Sequence, residues 1–359
     1  MKKLAVVGFL VLAALLAGPA TIFAQAPSPR PLPADLLFVG RSAITHDNRY
    51  FDGVFVVDAN TMRASKILEA PEGTIDGAFW SPDGQYIAVI HGRGSFEGIC
   101  VYHPDGEEVR CWELNDLVPW RDFLFWEDSR VVVITSRESG YEFVELDVST
   151  GDVSRSPFDV GEALSLVQLS PTGDYLAYQT VLTESDSSVI LGDKLYIYNR
   201  DQMSKKLVTS TSTGQCFSWS PDGQKLAVRQ YGDTSFAFFD LEGVKIGEIH
   251  PQFEGKDISG CPVAWSHDGT RLAFNSLYRE DPRTLGLFVT DIDEQKTYLL
   301  VDSFYTSVSI TWSPDDSCIV TDEVHGGGWG QIVVASMDGW EKWYHVESGR
   351  FLGPSWRPG

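Results

Sequence analysis

A β-propeller of seven four-stranded blades is the fold class that this sequence predicts. Three observations predict it: a short phrase that recurs along the chain, the period at which it recurs, and two chain ends that complement each other. The phrase reads WSPDG followed by an alternating strand, and its sharpest copies fill 79–90, 218–229, 264–275 and 311–322. Self-similarity at a fixed period is the signature of a stacked or radial repeat architecture.

The period of the repeat matches the size of a propeller blade. Weaker copies lie at 124–135 and 168–179, and a last fragment, PSWRP, occupies 354–358. Successive copies are 43 to 50 residues apart when they are aligned on Trp80, Trp126, Leu169, Trp219, Trp265, Trp312 and Trp356. Blades of four strands need about 40–50 residues, so each copy is one blade.

Each copy has the same internal order of strands. An apolar strand, A, ends at the tryptophan, Ser-Pro-Asp-Gly makes a tight turn, and an alternating strand, B, follows. Proline presets φ at the second turn position, and glycine supplies the left-handed conformation that closes the turn. Strands C and D complete each sheet. No stretch keeps a period of 3.6 residues, so we expect almost no helix.

The two ends of the chain determine the number of blades. Three strands without an A strand precede the first tryptophan, at 35–40, 53–58 and 64–70, whereas 351–356 is an A strand without the other three. The final strand can therefore complete the first blade, which closes the ring and leaves no open edge between blades. The fourth blade is the least regular, with an expected B–C loop at 180–193.

Three departures from the phrase in the turn are informative. His267 replaces the proline of one turn, Asp316 replaces the glycine of another, and the third blade carries Trp126-Glu127-Asp128-Ser129 instead of the whole motif. We expect each departure to weaken its own turn without changing the register of its blade. The aspartates of the sharp copies are interpreted as turn formers, because an Asp side chain can cap its own turn.

The first residues have the pattern of a secretion signal. Lys2 and Lys3 precede an apolar run of fourteen residues, 4–17, which is shorter than the roughly 20 that a spanning helix needs. Cleavage after Ala24 is the preferred site, and an uncleaved anchor is the alternative. The expected domains are a signal peptide at 1–24, a Pro-rich lead-in at 25–34 and the propeller at 35–359. The expected location is extracytoplasmic, periplasmic or secreted, with no membrane insertion after cleavage.

The acidic composition excludes two classes of partner. The chain has 28 Lys and Arg against 50 Asp and Glu, a net charge of −22, and loss of the signal would remove two lysines and no acids. Such a surface repels nucleic acid and anionic membranes, so neither is an expected partner. Much of the charge lies in turn aspartates, so acidity alone does not indicate calcium.

Five cysteines in an exported chain favour disulfides. Cys100 and Cys111 flank the hairpin turn at 104–107 and fall opposite each other, which predicts a cross-strand disulfide. Cys216 and Cys261 lie three and four residues before their tryptophans, and this one-residue offset leaves a bridge between successive blades open. Cys318 begins a B strand and is expected to be a buried free thiol.

The phrase W-S-P-D-G, followed by two variable residues and L-A-F or L-A-V, resembles the WD-like propeller repeat of the TolB family. The resemblance extends over the chain from about residue 35 onward and implies the propeller fold. It implies little about function, because such propellers serve as protein-binding modules, as gating domains of peptidases and occasionally as enzymes. The extra N-terminal domain of TolB is missing from this sequence, so its partners are not implied.

Motifs of common catalytic sites are missing from the sequence. It has no G-x-S-x-G elbow of a serine hydrolase and no glycine-rich phosphate loop between a strand and a helix. Its seven histidines form no H-x-x-x-H or H-E-x-x-H pair. We therefore expect no catalytic residue and no cofactor, and we favour a binding protein.

A binding face is predicted where the B–C and D–A loops meet. Arginine and aromatic side chains, which anchor interfaces and hold carboxylates, concentrate in these loops. The candidate binding residues are Arg49, Arg93, Phe96, Arg137, Tyr141, Tyr231, Tyr278, Arg279 and Trp329. D–A loops add others, among them His250 and Phe253. This face would bind a protein, a peptide or a cell-envelope polymer, unless long loops merely carry more polar residues.

A second hypothesis is a metal-assisted lyase or hydrolase that acts on an acidic saccharide. A propeller can gather ligands from different blades at the mouth of its channel, and His46, His91 and His325 all lie at or just after B strands. Some seven-bladed lyases that act on pectin fragments use a histidine-rich metal site of this kind. Isolated loop histidines are the simpler interpretation of the three residues.

Overall fold

The computed structural model describes most of the chain from residue 31 to residue 359. The described ranges are 31–44, 49–70, 74–92, 97–114, 124–137, 140–158, 160, 163–182, 191–210, 215–230, 232–278, 285–304, 309–324, 330–345 and 351–359. They form β-strands and turns, and this part of the chain contains no helix. No helix long and apolar enough to cross a membrane therefore occurs in these ranges.

The strands form seven four-stranded antiparallel sheets around an axis, which confirms the predicted seven-bladed β-propeller. Blade 1 contains β1 (Leu36–Ile44), β2 (Arg49–Val57) and β3 (Ala64–Ala70). Blade 2 contains β4 (Ile75–Trp80), β5 (Ile87–His91), β6 (Gly98–Tyr102) and β7 (Glu108–Glu113). Blade 3 contains β8 (Leu124–Glu127), β9 (Arg130–Arg137), β10 (Gly140–Asp147) and β11 (Val153–Phe158).

The next blades repeat this order and add one small hairpin. Blade 4 contains β12 (Ala163–Leu169), β13 (Tyr175–Leu182), β14 (Leu191–Asn199) and β15 (Ser204–Ser210). Blade 5 contains β16 (Gln215–Trp219), β17 (Leu226–Gln230), β18 (Phe236–Phe239) and β19 (Lys245–Ile249). The hairpin that follows consists of β20 (Gln252–Phe253) and β21 (Lys256–Asp257).

The last two blades and the C-terminal strand complete the ring. Blade 6 contains β22 (Val263–Trp265), β23 (Arg271–Leu277), β24 (Leu285–Asp291) and β25 (Thr297–Phe304). Blade 7 contains β26 (Ile310–Trp312), β27 (Cys318–Val324), β28 (Gly330–Ser336) and β29 (Glu341–His345). The final strand, β30 (Phe351–Trp356), pairs with β1 as strand A of blade 1, as the chain ends predict.

The hydrophobic core consists of clusters between neighbouring blades rather than one central core. Ile87 and Val89 of blade 2 pack against Leu37 and Val39 of blade 1, whereas Ala88, between them in sequence, packs toward blade 3. A B strand is thus buried on both faces, which corrects the expectation of an alternating strand and explains why its residues are apolar almost without alternation. The outer D strands are more exposed: four of the six residues of β11 are exposed and only one is buried.

Two faces follow from this topology. The A–B and C–D turns lie on one face, which we call the lower face, and the B–C and D–A connections lie on the upper face. The lower turns are built on Ser-x-Asp networks: Ser81 Oγ donates to Asp83 Oδ1 at 2.6 Å, and the Gln85 N–H donates to the same oxygen at 3.0 Å. The Ser81 hydrogen bond lowers the pKa of Asp83. Gly84, with φ of 65°, closes the turn as predicted.

A belt of tryptophans connects the blades at the lower ends of the A strands. Each of five indoles donates Nε1–H to a carbonyl of the previous blade, that of the residue before its tryptophan in four cases and before Leu169 in the fifth. The five bonds are Trp126 to Phe79, Trp219 to Gln168, Trp265 to Ser218, Trp312 to Ala264 and Trp356 to Thr311, at 3.1–3.2 Å. Blade 4 carries Leu169 instead, and the buried Nε1 of Trp80 has no acceptor among the described residues.

The shortened turn of blade 3 is completed by a charged residue from blade 4. Asp128, with φ of 51°, lies in a two-residue turn between β8 and β9. Glu127 occupies the place of the turn serine and accepts from Arg200 Nη1 at 2.6 Å. The same nitrogen donates to the Gly173 carbonyl at 2.8 Å. The departure at 126–129 therefore creates an inter-blade ion pair, which the sequence did not indicate.

The departures at His267 and Asp316 are coupled, which corrects the expectation that each weakens only its own turn. The Asp316 carboxylate is 7% exposed and crosses from the turn of blade 7 to that of blade 6. It accepts from the His267 N–H at 2.8 Å, from the His267 ring Nδ1–H at 2.9 Å and from the Asp268 N–H at 2.8 Å. A proline at 267 would have no N–H to donate, so the first departure makes the second one stable.

A double-mutant cycle tests this coupling. We expect D316G to destabilise the protein by about 2 kcal/mol, because three charge-assisted hydrogen bonds outweigh relief of the left-handed backbone of Asp316. H267P should cost about 1–3 kcal/mol, since it leaves a buried carboxylate without two donors. The double variant restores the repeat phrase in both turns and should be less destabilised than the sum by at least about 1 kcal/mol. Urea unfolding at constant m-value measures all three; additivity within about 0.5 kcal/mol would contradict the coupling.

The predictions for the cysteines, for the fourth blade and for the first residues have different outcomes. Cys100 and Cys111, for which the sequence predicts a cross-strand disulfide, are bonded, and Cys318 is a buried free thiol as expected. The irregular B–C connection of blade 4 is shorter than the predicted 180–193, because β13 continues to Leu182 and β14 begins at Leu191. The expected signal peptide at 1–24 and most of the lead-in lie outside the described residues.

Candidate functional site: the hairpin rim of the upper face

The connection between blades 5 and 6 is the part of the upper face that the structure describes at length. It contains the β20–β21 hairpin, whose turn residues Glu254 and Gly255 have φ of 51° and 76°. Two successive positive φ values give a type I′ turn, which matches the twist of a two-residue hairpin. Ile258 is 3% exposed and donates its N–H to the Pro251 carbonyl at 2.9 Å, which anchors the hairpin. We call residues 250–262 the hairpin rim.

A disulfide between Cys216 and Cys261 attaches the hairpin rim to the inner strand of blade 5. Their Cα atoms are 5.8 Å apart, within the usual range for a disulfide. The sequence left this bridge open because the two residues differ by one position relative to their tryptophans. Cys261 precedes β22, which begins at Val263, so strand register does not constrain it. The structure thus decides for the bridge between successive blades.

Hydrogen bonds fix the same segment to two B strands. Arg229 of β17 donates Nε–H to Ser259 Oγ at 3.3 Å, and Ser259 Oγ donates to the Asp233 carbonyl at 2.7 Å. Ser276 of β23 donates Oγ–H to the Ser259 carbonyl at 3.1 Å. Ser259 therefore joins blade 5 to blade 6. Bonds of this kind, together with the disulfide, hold the rim in one conformation before any ligand arrives.

Aromatic rings form the apolar surface of the hairpin rim. Phe253 of the hairpin meets Tyr278 and Phe288 edge-to-face, with ring centroids 5.7 and 5.3 Å away. Tyr278 and Phe288 also meet edge-to-face at 5.3 Å, and the Tyr278 hydroxyl donates to Asp302 Oδ1. Phe253 and Tyr278 are half-buried, and neighbouring Leu277 is 50% exposed. The surface is therefore a rigid aromatic patch with a carboxylate at its edge.

Tyr278, predicted from a B–C loop, and Phe253, predicted from a D–A loop, are the sequence-predicted residues that the structure places in this patch. Arg49 and Arg137 lie at strand ends, as the first residue of β2 and the last of β9. Tyr141 is also described, but its hydroxyl accepts the Leu164 N–H at 3.1 Å and so connects blade 3 to blade 4. The remaining candidates lie outside the described residues: Arg93, Phe96, Tyr231, Arg279 and Trp329.

One member of the candidate metal trio is described. His91 is the last residue of β5, and its Nε2 lies 3.2 Å from the Tyr102 hydroxyl. Burial lowers the pKa of His91, and burial followed by the charge of Glu108 raises the pKa of Tyr102 to about 12. The neutral imidazole that burial favours is also the form that binds metals. His46 and His325 lie outside the described residues.

Cysteine and glutamate supply the one possible metal-ligand cluster found among the described residues. It consists of Cys100, Glu108 and Cys111, whose ligand atoms lie within 4.8 Å of one another. The two sulfurs are joined in a disulfide, so neither is the thiolate that a metal requires. In the oxidised protein this cluster offers a single carboxylate.

Polar residues that the sequence analysis missed lie on the B strands of four successive blades. Their positions are equivalent by register, and they are Gln179, Arg229, Asn275 and Asp322. The equivalent residues of blades 1–3 are apolar: Val39, Ile90 and Ile134. Asn275 is 1% exposed and its amide has no partner among the described residues, whereas Asp322 Oδ1 accepts from the N–H and Oγ–H of Ser309 at 2.8 Å. An alignment of the B-strand sequences alone would have shown that these four polar residues occupy equivalent positions.

Comparison with known proteins supports the fold. No family model matches the sequence, and no curated protein matches it. Solved propellers do match the structure. TolB from Acinetobacter baumannii is 16% identical, with 92% of this chain and 68% of that chain covered and a TM-score of 0.51. An oligogalacturonate lyase in complex with manganese is 14% identical, with 87% and 94% covered and a TM-score of 0.54.

A third structure provides a contrast in how the ring closes. The β-propeller domain of the Trilobed protease from Pyrococcus furiosus, described as having an open velcro topology, is 13% identical. The alignment covers 88% of this chain and 94% of that chain, with a TM-score of 0.56. In the present chain β30 pairs with β1 instead. At these identities the three likenesses show the propeller fold and nothing finer.

Proposed function

We propose that this protein is an exported, non-enzymatic β-propeller that binds a protein, a peptide or a cell-envelope polymer on its upper face. The hairpin rim is the observation that carries the proposal. Partly exposed aromatic rings on a rigid support are the side chains that most often dominate binding energy at interfaces. Because Phe253 and Tyr278 are already held edge-to-face, little conformational entropy is lost when a ligand covers them.

Export is the second part of the proposal. The pattern of 1–24 is that of a signal peptide, and the chain contains two disulfides, Cys100–Cys111 and Cys216–Cys261. Disulfides persist in oxidising compartments such as the periplasm and the cell exterior. The net charge of −22 argues against nucleic acid as the ligand, since a phosphate backbone would be repelled.

The docking function is tested with a pair of aromatic variants. We expect F253A/Y278A to lose the partners that the wild-type protein captures from a cell-envelope extract, as read by mass spectrometry. Tyr298 is the matched control, because it is 41% exposed on the outer strand of the same blade. Y298A should retain the partners. Loss of two aromatic anchors that cost about 2 kcal/mol each should weaken binding about 1,000-fold when the two contributions add.

Stability must be followed in the same experiment, because both rings also contact Phe288. Near-ultraviolet circular dichroism and the thermal midpoint check that F253A/Y278A remains folded at the assay temperature. The conservative variant Y278F keeps the ring and removes only the hydroxyl that binds Asp302. It should retain partners. Undiminished capture by folded F253A/Y278A would contradict the proposal.

A metal-assisted lyase or hydrolase acting on an acidic saccharide is the second candidate. The likeness to a manganese-bound oligogalacturonate lyase favours it, and His46, His91 and His325 would be the ligands. Metal analysis of the purified protein, with titration of Mn²⁺ into wild type and H91A, separates the two functions. Stoichiometric uptake that H91A abolishes would favour the enzyme over the docking protein.

A further inference from the structure

Blade 4 interrupts the tryptophan belt, and a cavity lies at the interruption. Leu169 stands where the other A strands end in tryptophan. By the register of the repeat, the carbonyl of Phe125 is the acceptor that an indole at position 169 would use, just as Phe79 accepts from Trp126. No indole reaches Phe125 in the described part of the chain. An open cavity of about 380 Å³, which we call the notch, lies there instead, lined by both Phe125 and Leu169.

Apolar side chains make up most of the walls of this cavity. Phe79, Phe125, Pro171 and Trp219 surround it together with Leu169, and Phe79 and Phe125 are half-buried. Its volume is in the range of about 300–1,000 Å³ that is typical of small-molecule pockets. Such pockets are mostly apolar, with a few polar groups that fix the orientation of the ligand. The Phe125 carbonyl would be one such group, and Gln168 and Ser218 also line the cavity.

From these observations we infer that the lower end of the channel, between blades 3 and 5, is a binding site for a planar aromatic ring that carries an N–H, with indole as the type. The five indoles of the belt show the geometry: each packs its ring against the previous blade and donates Nε1–H at 3.1–3.2 Å to the carbonyl equivalent to that of Phe125. A ligand in the notch would supply the indole-type hydrogen bond that blade 4 lacks. Its ring would lie between Phe125 and Trp219.

This site is separate from the hairpin rim. An A strand begins at the upper face and ends at its tryptophan beside the A–B turns, so the notch opens at the lower face. The ring has two sources in nature, a free heteroaromatic compound and the tryptophan side chain of a peptide or protein. Both have the same chemistry, and the experiment distinguishes them.

Calorimetry or ligand-observed NMR with indole tests the inference on the whole protein. Intrinsic fluorescence is unsuitable, because the chain has 11 tryptophans. We expect saturable binding of one indole with a dissociation constant of about 1 mM or lower, a value that a ring of this size can reach. 1-Methylindole, which has no N–H, should bind about 2- to 10-fold more weakly because it lacks the hydrogen bond.

Substitutions at position 169 should fill the notch, and a substitution at position 265 should create a second one. L169W supplies the missing indole, so it should abolish binding and raise the thermal midpoint by a few degrees. L169F replaces it if L169W does not fold, since a smaller ring fills the same space. W265L removes the indole that donates to Ser218 and should create a second binding site, doubling the stoichiometry if the variant folds. F253A/Y278A should bind indole as wild type does, which separates this result from the docking function.

The peptides acetyl-Gly-Trp-Gly-amide and acetyl-Gly-Phe-Gly-amide identify the source of the ring. Tighter binding of the tryptophan peptide than of indole indicates a protein ligand, and binding of indole alone indicates a free compound. The inference is overturned if neither indole nor the tryptophan peptide saturates, if 1-methylindole binds as well as indole, or if filling position 169 leaves binding unchanged.

Discussion

Deletion of residues 351–359 is expected to abolish the folded ring. The segment contributes β30, which pairs Leu36 with Trp356 and Gly40 with Phe351 across blade 1. Trp356 is 5% exposed and donates Nε1–H to the Thr311 carbonyl of blade 7 at 3.2 Å. Loss of one buried tryptophan alone costs about 3–5 kcal/mol, and the exposed edge of β1 adds to it. The total approaches the whole stability of a typical protein, about 5–15 kcal/mol.

Arg357 explains why the tail affects three blades at once. It donates Nε–H to the Gly84 carbonyl of blade 2 at 3.0 Å and forms an ion pair with Asp35 at 3.2 Å. Its guanidinium also lies 5.3 Å from the centroid of the Trp80 ring. The tail therefore links blade 7, blade 1 and blade 2. Without it, these blades lose the contacts that make unfolding of the ring cooperative.

Circular dichroism melting and size-exclusion chromatography measure the effect of the deletion. The control is removal of Pro358 and Gly359 alone, which keeps β30, Trp356 and Arg357 and should melt within a few degrees of the full chain. A chain truncated at residue 350 that elutes as a compact monomer and melts cooperatively at the wild-type temperature would refute closure by β30 as the source of stability.

Removal of the Cys216–Cys261 disulfide has the next largest expected effect. Its cysteines are 45 residues apart, and loop-closure entropy for that length is worth about 4 kcal/mol. The Cys100–Cys111 bridge spans 11 residues, for which the same relation gives about 3 kcal/mol. C216S/C261S should therefore unfold at lower urea than C100S/C111S. The longer bridge matters more because it restricts more of the unfolded chain.

The design needs one further substitution and one functional readout. C318A is included in every chain, because a free thiol could otherwise exchange with either bridge. C216S/C261S should also weaken partner capture, since the hairpin rim loses its attachment to β16, whereas C100S/C111S on blade 2 should not. Equal loss of stability in the two double variants, with capture unaffected in both, would contradict the role of the longer bridge.

Much of the fold follows from residues that are neighbours in sequence. Ser81, Asp83 and Gly84 stabilise a turn through contacts within the turn itself, so the same three residue types at the same spacing predict a turn elsewhere in the chain. Cys100 and Cys111 share a hairpin, and their pairing follows from its register. The strands of each blade are likewise consecutive in the chain. Local chemistry of this kind is visible in the sequence.

The site depended on contacts that no local pattern encodes. Tyr278 was identified from its place in a B–C loop, but its neighbours Phe253 and Phe288 come from different connections and strands. Cys261 lies outside the regular strand, so counting along β22 could not decide its partner. Asn275 was missed because one polar residue in an apolar strand attracts no notice. Asn275 stands out only when the equivalent positions of the other blades are compared with it, because three of them are also polar.

The size and strand order of the blades follow from the sequence, because the turn phrase recurs at a fixed period, and the blade number and ring closure follow from the two complementary chain ends. Only the tertiary structure shows which departures from the repeat phrase come into contact with each other. His267 and Asp316 are 49 residues apart in sequence and in contact in space, and Leu169 becomes a notch only beside Phe125 of the preceding blade. Radial packing brings residues of neighbouring blades into contact. A substitution in one copy of the repeat therefore either gains a partner from the neighbouring blade, as His267 does, or leaves a space beside it, as Leu169 does.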